Sequence, residues 1–219
     1  MNSPILQLLV LAGIAIFLIL RLRSVLGTRE GFEKPSVPRQ PDKQREGPEL
    51  EVIESGPDHD IIDNVPEDSD AAKALAKMKR IDNSFSVNEF LQGARGAYEM
   101  ILTSFEQGAM EDIKPFLSDD VFEAFAEVVE NRREQELDIE FTFVGVSELQ
   151  LVDADFDEMT NEAELSVRFL GEMTSVVRDS SGEVIEGSSS EIKRQRDVWT
   201  FARKMGTSDP NWTLVATGG

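Results

Sequence analysis

The chain has 219 residues and carries 22 Lys and Arg against 42 Asp and Glu, a net charge of −20. That balance argues against nucleic acid as a partner, because a phosphate polymer is held by a clustered positive surface that releases its counterions. With no cysteine and a single histidine, His59, disulfides, thiolate metal sites, cysteine nucleophiles, His-based triads and multi-His metal sites are all excluded.

The first element is apolar. Residues 5–20, ILQLLVLAGIAIFLIL, include one polar side chain, Gln7, and Leu22, Val25 and Leu26 extend the run past Arg21. A helix of this length is close to the ~17–25 residues that cross hydrocarbon. A cleavable signal peptide places positive charge before such a run and small residues after it. Here MNSP precedes it without a base, and Arg21, Arg23 and Arg29 follow. Residues 1–28 are therefore expected to form an uncleaved transmembrane anchor. The bilayer is a partner through residues 5–20, and the following chain lies on the cytoplasmic side by the positive-inside rule.

Residues 29–70 read differently. They contain six prolines, and from Glu46 to Asp70 there are ten acids and no Lys or Arg. Such composition buries too little apolar surface to offset ordering entropy, so a disordered acidic linker is expected. It serves either as a tether holding a domain off an anionic membrane or as a plain solvating spacer. His59, between Asp58 and Asp60, is expected in solvent.

The remaining 71–219 is expected to be a single domain, with 15 bases against 29 acids. Ala71, Leu75, Met78 and Ile81 share one helical face. Ser86 and Glu89 have the spacing of a capping box, opening a helix through Phe90, Tyr98 and Phe105 that Gly108 stops. A third helical stretch follows at about 110–117. A fourth follows SDDV, with Val121, Phe122, Phe125, Val128 and Val129 inward. The period then changes to two. Leu137, Ile139, Phe141 and Phe143 alternate with polar residues through Leu151, and Ala163, Leu165, Val167 and Phe169 repeat the pattern. A turn at 179–182 and strands at 192–204 and 212–216 complete an α+β layout, helices first and a curled antiparallel sheet after.

Candidate chemistry is sparse. Asp153, Asp155, Asp157 and Glu164 approach the spacing of a calcium loop, but Glu158 stands where that loop needs glycine and the flanks read as strands. A solvated hairpin tip fits better. Residues 193–204, KRQRDVWTFARK, hold five bases and one acid. Lys193, Arg194, Arg196, Arg203 and Lys204 are the candidate contacts for anionic lipid or a partner protein, or else the polar face of a strand. Trp199, Phe201 and Trp212 read as core or as pocket lining. Tyr98, the sole tyrosine, permits an acid–base pocket only beside a buried acid, and no acid stands out in an apolar context, so no enzymatic activity and no cofactor are expected. Asn211-Trp212-Thr213 matches a glycosylation acceptor that a cytoplasmic domain would not present.

Several stretches resemble a known family. FLQGARGAYEMILTSFEQG at 90–108, the helix ending in Asn131-Arg132-Arg133, AELSVRFLGEMTSVVRDSSGEVIEG at 163–187 and, most specifically, DVWTFARKMGTSDPNWTL at 197–214 are similar to the mitochondrial import-motor scaffold, the Tim-forty-four family, and its bacterial TimA relatives. The resemblance spans about 84–217. It implies a cone-shaped domain like nuclear transport factor two, in which helices wrap a curved sheet around an apolar pocket, with Phe141, Phe143, Val167, Phe169, Trp199 and Phe201 as candidate pocket residues. It also implies a non-catalytic adaptor that docks on membranes, prefers acidic lipids such as cardiolipin and scaffolds other proteins. The mitochondrial members carry a basic cleavable segment and a chaperone-recruiting region. This chain has an apolar anchor and a short acidic linker in their place, which points to a bacterial inner membrane.

Overall fold

The change of apolar period near residue 137 is where helix gives way to strand. The computed structural model describes residues 58–218, so the expected transmembrane anchor and the linker up to residue 57 lie outside the described residues. No helix among the described residues is long and apolar enough to cross a membrane.

Five helices come first: α1 His59–Ile62, α2 Asp70–Ile81, α3 Val87–Glu106, α4 Met110–Ile113, which runs into a 3-10 turn at Lys114–Phe116, and α5 Asp119–Glu134. Serines start the three long ones. The Oγ atoms of Ser69, Ser86 and Ser118 accept the amides of Ala72, Glu89 and Val121 at 3.0, 3.3 and 3.4 Å, meeting donors that a helix start leaves without partners. Gly108, with φ +71°, ends α3 in the left-handed conformation that glycine adopts without strain.

Strands β1 Asp138–Asp157, β2 Glu162–Arg178, β3 Val184–Lys204 and β4 Thr213–Gly218 form one antiparallel sheet in the order β1-β2-β3-β4. The fold is thus α+β, with helices preceding a four-stranded antiparallel sheet. Bulges near Val144, Ser147 and Val152 break the β1–β2 ladder, and such extra residues bend a strand and increase its twist. Beside the second of them Arg95 of α3 donates from Nη1 to the Val146 carbonyl at 2.8 Å, tying helix to sheet.

The core lies between α2, α3 and one end of the sheet. Leu75, Met78, Tyr98, Ile101, Leu165, Val167 and Phe169 are fully buried there. Along the strands the cover thins. In β1 only Leu151, Ala154 and Phe156 are buried, all in the second half, and in β3 only Trp199–Ala202 are.

Three expectations need correcting. The linker was expected to run to residue 70, yet 58–70 belong to the folded domain: Ile61 and Val65, four apart, are buried in the core cluster. The acids there also have specific partners. Asp60 accepts from Ser86 Oγ (3.0 Å), Val87 N (2.7 Å) and Asn88 N (2.9 Å) at the start of α3, and Lys79 Nζ lies 2.7 Å from its carboxylate. These contacts and the positive helix end favour the ionised form and bring its pKa to about 2, against the desolvation that opposes it. The second correction is strand β3, which starts at Val184 rather than 192, because pairing with β2 carries it through a serine-rich stretch with no alternation. The third is the helical stretch at 110–117, where Pro115 leaves one α-turn and a 3-10 turn. His59 is exposed as expected.

Candidate functional site

An aromatic layer runs under α3. Helical spacing puts Phe90, Ala94, Tyr98 and Ile101 on the buried face, against alternate residues of β2 and β3. The Tyr98 ring stacks on Phe169, with centroids 4.3 Å apart and planes 7° apart, and tilts against Trp199 at 4.7 Å and Phe143 at 6.0 Å. Phe90 meets Phe201 at 5.9 Å and Trp212 at 4.8 Å. Gly171 makes room for the phenol: a Cβ there would sit 2.8 Å from the Tyr98 oxygen.

The buried Tyr98 hydroxyl needs a partner, and Asp197 supplies it. Oη donates to Asp197 Oδ2 at 2.5 Å, while the Gln195 side-chain amide donates to both carboxylate oxygens at 3.1 Å. Burial first, and the carboxylate beside it second, hold the Tyr98 hydroxyl far above the ordinary phenol range. The sequence pointed to the tyrosine but not to its acid, which lies 99 residues away on a different element. The available signal was the two-residue spacing that places Gln195, Asp197, Trp199 and Phe201 on one face of β3. Tyr98 is fully buried and its proton has Asp197, itself half-buried, as partner.

Val167, Phe169, Trp199 and Phe201 lie in the buried layer, and Phe141 and Phe143 continue it as half-buried residues. The strip they extend is covered incompletely. Of α5, only Val121 is buried, while Phe122, Phe125, Ala126 and Val129 stay half-buried and Val128, expected inward, is exposed because no element packs over its side of the helix. Phe125 meets Phe105 of α3 at 4.7 Å, and Arg132 lies over the Phe105 ring at 4.7 Å while paired with Glu106 at 3.1 Å.

The basic residues divide. Lys193, Arg196 and Lys204 are exposed, and Arg194, also exposed, pairs with Glu172 at 2.9 Å across β2–β3. Arg203 does not belong with them and is corrected here. Its side chain is 10% exposed, hydrogen-bonded to Asp82 and 5.7 Å over the Trp212 ring. It joins the end of α2 to the last two strands and is not free to meet a lipid. Asp153 and Asp155 lie on β1, and Asp157 caps the following turn through the Met159 amide at 2.7 Å. Among the described residues no group of acids and histidines converges to hold a metal.

Comparison with known proteins gives broad likenesses to solved structures and one family. The crystal structure of the intermembrane space region of the chloroplast protein ARC6 resembles this chain with a TM-score of 0.43 and 8% identity, over 58% of this chain and 94% of that one. No curated protein matches. The Tim44-like domain matches residues 71–219, the whole sheet and all the long helices. The chain belongs to the Tim44-like domain family, a family of non-catalytic scaffolds and adaptors.

Proposed function

We propose that this chain is a membrane-anchored adaptor that presents its Tim44-like domain at the cytoplasmic face of a bacterial inner membrane and holds a protein partner there. The observation that carries the reading is the joining, in one sequence, of a domain of a scaffold family to the apolar run 5–20 with arginines on its domain side. Anchoring raises the effective concentration of the domain for clients in the same membrane, so modest contacts suffice. The Tyr98 hydroxyl, buried and committed to Asp197, supports a binding role over an acid–base one. Lys193, Arg194, Arg196 and Lys204 are the exposed bases such a client, or acidic lipid such as cardiolipin, would meet.

Crosslinking the full-length chain in native membranes, beside a form lacking 58–219, tests this. Specific membrane or membrane-associated proteins captured by the whole chain and lost with the domain are the expected result. Equal capture by both forms, or none by either, would overturn the adaptor reading.

A second reading has its own support. Phe122, Phe125 and Val129 of α5 and Phe141 and Phe143 of β1 are half-buried apolar side chains in contact with water, which an acyl chain or small apolar ligand would cover. Lipid co-purifying with the wild type, and lost on Phe143→Asp, is the expected result for that role.

A further inference from the structure

Strand β3 extends well past its neighbour on one side. It runs Val184–Lys204, yet β4 pairs with it only from Val198 to Ala202. Among the described residues, Val184–Asp197 therefore has β2 on one flank and no strand on the other. An edge of this length offers a row of backbone donors and acceptors to another chain. Val184, Ile185 and Ile192 along it are 47%, 54% and 54% exposed, so it carries apolar surface as well.

The edge has a charge order. Its register with β2 passes from Met173↔Lys193 to Ser175↔Ser188, so 189–192 bulge out and leave two arms, 184–188 and 193–197. Glu183 and Glu186 stand at the first arm, and Lys193, Arg194 and Arg196 on the second. Lys193, Arg196, Glu183 and Glu186 are exposed, and no ion pair within the described chain engages any of them.

That order is self-complementary. Measured along β2, Lys193 stands at Met173 and Glu186 at Val177, so a two-fold axis at the level of Ser175 and Ser188 sets Glu186 opposite Lys193 of an antiparallel copy and brings Glu183 within one residue of Arg196, and symmetry repeats each contact. Gly187 and the three serines at 188–190 lie at or beside the axis, with Glu191 and Ile192 completing each bulge. We propose that this edge of β3 is a pairing surface for a second copy of this chain.

The absence of cysteine makes the test clean. Ser189→Cys in the full-length chain, in native membranes under mild oxidation, should give a covalent homodimer. Ser180→Cys, at the hairpin tip, reports random collision and should give much less. Added to Ser189→Cys, either Lys193→Glu or Glu186→Lys turns facing attractions into repulsions and should lower the dimer yield about tenfold, while the two together should restore it. All these positions are exposed, so folding is spared. No Ser189 dimer, a dimer no stronger than the Ser180 one, indifference to charge reversal, or no recovery in the double reversal would each overturn the proposal. Loss of the homodimer in Glu186→Lys, which lies outside the proposed client contact, with partner capture intact separates it from the adaptor reading.

Discussion

At its helix-covered end the sheet leaves nothing of Leu165, Val167 and Phe169 in water, while at the far end of the neighbouring strand Val184 and Ile185 stand about half exposed, at 47% and 54%. Both ends consist of β2 and β3 in antiparallel register, and both carry β-branched or aromatic residues. The difference lies in what is laid over them. Tyr98, Phe90 and Ile101 of α3 close one end, whereas Phe141 and Phe143 on β1 stay half-buried. Alternation decides which side chains share a face; a second layer decides whether that face becomes core. One end is built for stability, and the other keeps surface for contact.

The comparison would break if both ends responded alike to truncation. Phe169→Ala removes the stacked partner of Tyr98 from a fully buried site and should cost about 3–5 kcal/mol, against about 1–2 kcal/mol for half-buried Phe143→Ala. Unfolding followed by fluorescence of the two tryptophans, Trp199 and Trp212, reads both. At the far end the backbone should matter more than side chains. Gly187 has φ +81°, and a Cβ there would lie 2.0 Å from the Ser175 carbonyl oxygen. Gly187→Ala should therefore cost about 2–3 kcal/mol and raise amide exchange in the 175–188 hairpin while leaving 163–169 protected.

The third test concerns a charge. The carboxyl of Asp60 has its pKa at about 2, below the ordinary 3.8. A depressed pKa in the folded state stabilises it at pH values above 3.8, and that contribution disappears as pH falls through about 2. It amounts to about 2 kcal/mol for a side chain that is 18% exposed. Asp60→Ala should remove it at neutral pH and flatten the acid limb of the stability profile; an unchanged limb would assign the acid sensitivity to other carboxylates. The smallest effect is expected at the exposed end, where Ile185→Ser should change stability by no more than about 0.5 kcal/mol. A larger loss would mean that this surface is already covered.

The three long helices were legible because apolar spacing, and at α3 the Ser86 cap, mark them, although Ile81 and Val128 on the expected inner faces are 47% and 42% exposed; β1 and β2 were legible because alternation runs through most of their length. Legibility ended where tertiary contacts override local pattern. Residues 184–191, VIEGSSSE, lack alternation and hold serines and glycine, yet pairing with β2 makes them strand. Residues 58–66 read as acidic linker because composition counts Asp60 as a free charge, whereas Ser86, Asn88 and Lys79 make it a cap. Half of the aromatic site was in view, since Tyr98 and the strand aromatics share periodic faces. Asp197 was hidden by sequence distance, and Arg203 was grouped with surface bases because charge alone cannot tell a side chain stacked on Trp212 from one in water.

The Asp60 contacts have a mechanical side. Chain preceding residue 58 joins the domain at α1, so a pull arriving along it bears first on Lys79, which binds both Asp58 and Asp60 at 2.8 and 2.7 Å, and on the α3 start. Behind them Ile61 and Val65 in the core and the Asn64 side chain, 3.4 Å from Asn88, hold the strap, whereas each sheet strand is fastened along its length. Under load the nine residues from 58 to 66 would peel away one contact at a time before any strand moved, lengthening the attachment while the aromatic layer beneath α3 stayed intact.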